Sequence, residues 1–176
     1  MKPTSRSLAR AALVATVLIG PAASSRAGEP LGTPTRVTLE ARNGQHSFTV
    51  ALAKRPFVRG RRRVRVGEGS LVYVDGRRAY GALDYAPHEE MSAFEVTVDG
   101  KKWPVPARLW RDCYGPNLGT SNTGTKPEAV YTYAWLSADG ERLTVKMLGS
   151  DGGGGYRVVW YLRRDGKHHR RIDDLT

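Results

Sequence analysis

Asn43-Gly44, Asp75-Gly76, Asp99-Gly100, Asp139-Gly140 and Asp165-Gly166 each separate two runs rich in Val, Thr, Tyr, Trp and Leu. Both residue types of such a pair tolerate the positive φ that a type I′ turn requires, so each pair between alternating runs reads as the tip of a β-hairpin. Five hairpins imply about ten strands. The flanking runs alternate as half-buried strands do. Val37, Leu39 and Ala41 oppose Arg36, Thr38 and Glu40, while Phe94, Val96 and Val98 oppose Glu95, Thr97 and Asp99. After Asp139-Gly140, Leu143, Val145 and Met147 are expected to continue an apolar face begun by Tyr131, Tyr133 and Trp135.

Helical patterning is nearly absent. Residues 86–92 are expected to form at most a single helical turn, with Pro87 suited to its first position. Serial hairpins without long crossover helices predict a mainly β protein, an antiparallel β-sandwich or a partly open barrel. Three irregular segments interrupt the hairpins. Residues 28–35 form a Pro-containing lead, residues 115–127 a long polar loop expected to lack structure, and residues 149–155 a glycine-rich loop.

The first 27 residues read differently from the rest. Lys2, Arg6 and Arg10 precede the apolar stretch 11–20, and Ser25-Arg26-Ala27 places small residues where a signal peptidase cleaves. The expectation is a secretory signal peptide cleaved after Ala27, and a secreted or periplasmic single domain over residues 36–176. The apolar stretch is short for a bilayer crossing and no second one follows, so no transmembrane segment is expected. The 149 residues that remain suffice to bury roughly 70% of the unfolded chain's surface in one core. No disulfide framework is available, because Cys113 is the only cysteine. It is expected to be buried in a strand rather than to act as a nucleophile or to form an intermolecular bridge.

The formal charge of the whole chain is +11, and four of its 28 basic residues (Lys2, Arg6, Arg10, Arg26) but none of its 17 acidic ones precede Gly28, leaving the mature chain at +7. Residues 54–65 hold Lys54, Arg55, Arg59, Arg61, Arg62, Arg63 and Arg65 without an acid. The basic character is therefore local. Guanidinium groups passing from a loop into an alternating strand suit paired hydrogen bonds to phosphate, sulfate or carboxylate. Arg59, Arg61, Arg62, Arg63 and Arg65 are accordingly the candidate anion-binding residues. A solvated face, or an edge strand guarded by charge, is the alternative. A dedicated nucleic-acid role is not expected, because this segment has no interleaved aromatics for base stacking.

Other constellations fit known chemistry less well. His88 lies beside Glu89, Glu90 and Asp84, and Asp112 could join them from a distance. These are the residue types of a metal or acid–base site, but at no established spacing. The run 149–155 is followed by a strand-like sequence rather than a helix and has no Gly-Lys-Ser/Thr ending, so it reads as a flexible hairpin loop, and Asp151 within it lacks EF-hand spacing. No Gly-x-Ser-x-Gly elbow is present. His46 reads as a surface strand residue, and His168 and His169 as part of a basic terminal strand that gains charge in acid. Trp135 and Trp160 fall within patterned strands and are expected in the core. Trp103, beside Pro104-Val105-Pro106, and Trp110 are the two tryptophans that surface sites would suit, although core packing is the commoner role.

No cofactor or metal is expected. The leading expectation for function is a noncatalytic envelope protein that binds an anionic polymer or a carbohydrate. A small hydrolase built on His88 and nearby carboxylates, and a structural module joining an assembly through a strand edge, are the alternatives. The oligomeric state and the identity of the ligand are left open by the sequence.

Overall fold

In the computed structural model, residues 16–18, 36–43, 45–118, 120–121, 129–150 and 154–175 are described. The cleavage site at Ala27, the lead 28–35, Gly44, the loop tip 122–128 and Asp151 lie outside them, as does the expected leader apart from Thr16–Leu18 (β1).

Each expected turn sits between two paired antiparallel strands. Arg36–Asn43 (β2) pairs with His46–Pro56 (β3) in a register that brings Asn43 opposite His46. Leu71–Val74 (β5) turns at Asp75-Gly76 into Arg77–Leu83 (β6), and Glu89–Val98 (β7) turns at Asp99-Gly100 into Lys101–Lys102 (β8). In these two turns both central residues have positive φ, 51° and 78° in the first and 50° and 72° in the second. That is the conformation for which Asp-Gly is suited. Thr132–Leu136 (β11) and Arg142–Gly149 (β12) enclose Asp139-Gly140, and Tyr156–Arg163 (β13) and His169–Asp174 (β14) enclose Asp165-Gly166.

The strands assemble into antiparallel sheets with a sandwich-like arrangement. One sheet has the order β1-β2-β3-β7-β8, and a second has the order β11-β12-β13-β14. Val37, Leu39, Phe48, Val50, Leu52, Phe94, Val96 and Val98 from the first share one core with Leu136, Leu143, Val145, Met147, Val158, Trp160 and Leu162 from the second. A smaller sheet, Val64–Val66 (β4) with β5 and β6, has its own cluster of Val72, Val74, Ala79, Ala82 and Tyr114.

Residues 112–117 tie the three sheets together. Tyr80 N–H donates to Asp112 O and Tyr114 N–H to Tyr80 O on β6, Gly115 N–H donates to Glu89 O on β7, and Asn117 N–H donates to Leu148 O on β12. Cys113 is buried in the large core and its neighbour Tyr114 in the small one. The front of the segment 115–127 is thus ordered rather than structureless. Leu118 is buried, and Thr120–Ser121 (β9) pairs with Ala129–Val130 (β10).

Two further expectations are corrected. Residues 86–92 form no helical turn, because β3 extends far enough to pair Arg55 with Glu90 and Pro56 with Glu89, which draws the segment into β7. The inner face of β11 is carried by Thr132, Ala134 and Leu136, opposite Met147, Val145 and Leu143, so Tyr133 and Trp135 point to the other side. A shift of one residue in a strand exchanges its faces. Trp135 is accordingly 43% exposed, whereas Trp103 is buried and Trp160 is enclosed against Phe94.

Candidate functional site

The arginine-rich segment leaves β3, makes a 3-10 turn at Arg59–Arg61, and enters β4. Its two ends behave differently because the carboxylates nearby are few and already placed. At the β3 end a bulge between Ala53 and Lys54 changes the register against β7. Lys54 is buried there, with Nζ 2.6 Å from Glu89 Oε2, and Arg55 lies 2.8 Å from Glu90 Oε1. At the β4 end Arg62 reaches back to Glu90 Oε2 at 3.2 Å and donates through Nε to Asp75 Oδ2 at 2.5 Å. Asp75 also accepts the Arg63 backbone N–H at 2.9 Å. These hydrogen bonds, from the Arg63 backbone and then the Arg62 side chain, hold the Asp75 carboxyl below its ordinary range.

The two clusters that the sequence keeps apart therefore meet. Glu89 and Glu90, weighed above only as an alternative metal or acid–base cluster, serve as counterions to Lys54, Arg55 and Arg62. His88 stacks on Tyr85 with ring centroids 5.3 Å apart. Asp112 is engaged elsewhere, in a forked pair with both terminal nitrogens of Arg170, one contact at 2.6 Å. Among the described residues no group of three or more His, Cys, Asp or Glu side chains is arranged to hold a metal.

Arg59, Arg61, Arg63 and Arg65 remain exposed, with no carboxylate partner among the described residues. Arg65 lies over the Tyr73 ring at 4.9 Å, which fixes its position without neutralising it. Arg61, Arg63 and Arg65 line an open cleft of about 880 Å³, together with Tyr73 and the Arg62–Asp75 pair. Arg62 and Asp75 also border an adjoining hollow of about 150 Å³ that takes in Arg77 from β6 and Arg111 from the segment before Asp112. Arg77 and Arg111 are exposed, and among the described residues neither forms an ion pair with an acid. Neither was singled out by sequence reasoning. Arg77 directly follows the Asp75-Gly76 turn, a local signal that places it near Asp75, whereas Arg111 arrives only through the tertiary path of residues 107–114.

The thiol of Cys113 has no access to this surface. It is completely buried, and burial pushes its pKa up to about 12. The Tyr156 hydroxyl beside it is also fully buried and makes no well-formed hydrogen bond. Comparison with known proteins finds no matching family model, no matching curated protein and no matching solved structure.

Proposed function

We propose that this protein is a noncatalytic β-sandwich binder of an anionic cell-envelope polymer, with the hairpin of β4 and β5 as its contact surface. The observation that supports the reading is the division of labour among the arginines. Lys54, Arg55 and Arg62 form ion pairs with the local carboxylates, whereas Arg61, Arg63 and Arg65 line one cleft without an ion pair among the described residues, the Asp75 carboxylate in that lining being paired with Arg62. Arg59 in the adjacent turn, with Arg77 and Arg111 in the hollow, extends the positive surface. Guanidinium groups held apart on a strand and its turn can each take an anionic oxygen pair, so a polymer with repeated phosphate, sulfate or carboxylate groups engages several at once. Arg62 is assigned a different role, that of holding the hairpin to β7.

The test is binding of purified protein to immobilised poly(glycerol phosphate), heparin and polygalacturonate at low and physiological salt. The triple change Arg61→Ser, Arg63→Ser, Arg65→Ser is run beside the native protein. Retention on poly(glycerol phosphate) that survives physiological salt and is lost in the triple variant supports the proposal. Equal weak retention on all three matrices that vanishes with salt reduces the surface to an ordinary screened charge patch and overturns it.

A further inference from the structure

The face of the β11–β14 sheet turned away from the core carries a second arrangement that shares no residue with the arginine cleft. Register places Trp135, Thr144, Tyr161 and His169 in one row across the four strands. His169 stacks on Tyr161 at 4.7 Å with planes 17° apart, and Tyr133 stacks on Trp135 at 5.6 Å and 23°. Each large ring is thus propped by a neighbour. Neighbouring strands lie about 4.8 Å apart, which puts the backbones of Trp135 and Tyr161 about 10 Å apart with Thr144 between them. The hollow there is about 490 Å³.

One row further along, Arg142 and Arg163 occupy directly opposed positions on β12 and β13. Like charges so placed disfavour the pairing. Asp165 reaches Arg163 at 3.3 Å, and no carboxylate pairs with Arg142 among the described residues. Both arginines line the same hollow. An aromatic-walled depression with a hydroxyl on its floor and an under-neutralised arginine pair at its rim needs a ligand with an apolar ring face, hydroxyls and an acid group. We infer that this face binds an acidic saccharide, a uronic or sulfated sugar unit whose ring lies against Trp135 and Tyr161 and whose acid group bridges Arg142 and Arg163. The CH face of a pyranose suits the aromatic walls, and its hydroxyls are within reach of Thr144. A nucleotide also joins a stacking base to an anionic phosphate, so single-stranded nucleic acid is the competing occupant that the experiment must separate from an acidic saccharide.

The experiment titrates the purified protein with oligogalacturonate and with a heparin-derived oligosaccharide at physiological salt, with maltohexaose and single-stranded oligo-dT as comparators. It follows the indole N–H resonances by NMR, with calorimetry for affinity. Trp135 is the most exposed of the four tryptophans, so a saturable shift of its indole signal is expected with an acidic saccharide. Trp135→Ala and Tyr161→Ala should each weaken binding at least tenfold and Tyr161→Phe little. Arg142→Ser should remove the preference for acidic over neutral sugar. The triple Arg61, Arg63, Arg65 variant should bind at this face as the native protein does, which separates this inference from the preceding proposal. Absence of a saturable Trp135 shift with either acidic saccharide overturns the inference, a result read on the native fold alone. Tighter binding of oligo-dT overturns it in favour of a nucleic-acid platform, and an unchanged affinity in Trp135→Ala overturns it as well.

Discussion

Arg62 and Glu90, 28 positions apart in the chain, meet at 3.2 Å, and through this contact the small β4–β6 sheet is fastened to β7. Glu90 is buried and Arg62 half-buried, so the pair is shielded better than the exposed ion pairs elsewhere, although Arg55 also holds Glu90. Removing Arg62 leaves one carboxylate partly compensated and another, Asp75, without its side-chain partner. Arg62→Ser should therefore lower unfolding free energy by about 1–2 kcal/mol. The exposed Arg61, Arg63 and Arg65, changed to Ser one at a time, should each stay within about 0.5 kcal/mol of native stability. Urea unfolding curves of the four variants check the division between a structural arginine and three available for ligand. Equal losses at all four positions would remove it.

Cys113 sits where residues 112–117 cross between the sheets, and its thiol is fully enclosed with its pKa raised to about 12. A thiol reacts as the thiolate, so both access and ionisation are withheld. Native protein at pH 8 should show negligible reaction with a disulfide reagent over a time in which the urea-unfolded chain reacts to one thiol per molecule. Rapid native labelling would show that the segment opens readily, contrary to its hydrogen bonds to β6, β7 and β12.

The hairpins were legible because an Asp-Gly turn is a local signal, and two residues with positive φ settle the fold of their neighbours. Strand faces were legible where two candidate faces differed sharply, as in β2 and in the C-terminal half of β7. They failed in β11, where Tyr133 and Trp135 look more like core residues than Thr132 and Ala134 do. The register was decided instead by pairing with Leu143, Val145 and Met147. For the site, the run 61–65 was visible as composition, but which arginines are free depends on where Glu89, Glu90 and Asp75 come to rest. The path of residues 107–117 had no local signature at all. Its first part closes on itself in local turns, Arg111 N–H donating to Ala107 O and Cys113 N–H to Trp110 O, but the remaining main-chain partners of residues 112–117 belong to strands distant in sequence, and Leu109 O is fixed by Trp160 Nε1 at 2.7 Å and Arg170 Nη1 at 2.8 Å.

His168 gives the structure an acid-sensitive element. Its Nδ1 accepts the Arg163 backbone N–H and its Nε2 lies on Pro104 O, both at 3.1 Å, so the neutral ring with its proton on Nε2 satisfies both contacts. Partial burial holds its pKa below the ordinary 6.5. As the pH falls below 6.5, the unfolded chain takes up this proton before the folded one does. Stability contributed by the neutral ring is thus intact above that pH and lost progressively below it. Between pH 7 and pH 5 the melting temperature of the native protein should fall further than that of His168→Gln. An identical decline in both would assign the acid sensitivity to other groups.

Tyr156 is fully buried in a slot whose walls are two glycines. A Cβ on Gly149 would lie 2.3 Å from the Tyr156 ring, and one on Gly81 would lie 2.7 Å from that ring and 2.3 Å from the carbonyl oxygen of Tyr114. Gly81 has the further constraint of φ at 95°, which a residue with a side chain adopts only under strain. Backbone cannot retreat at Gly81, because Tyr114 is hydrogen-bonded to Tyr80 at 2.8 Å. Gly81→Ala should therefore cost about 3 kcal/mol or more and Gly149→Ala somewhat less, since the ring at Gly149 is a side chain. Trimming the ring separates the two causes. In a Tyr156→Leu background the penalty at Gly149 should largely disappear while most of the penalty at Gly81 persists, because only the latter rests on backbone. Denaturant midpoints of the two single and two double variants measure this directly, and equal relief at both positions would refute the distinction.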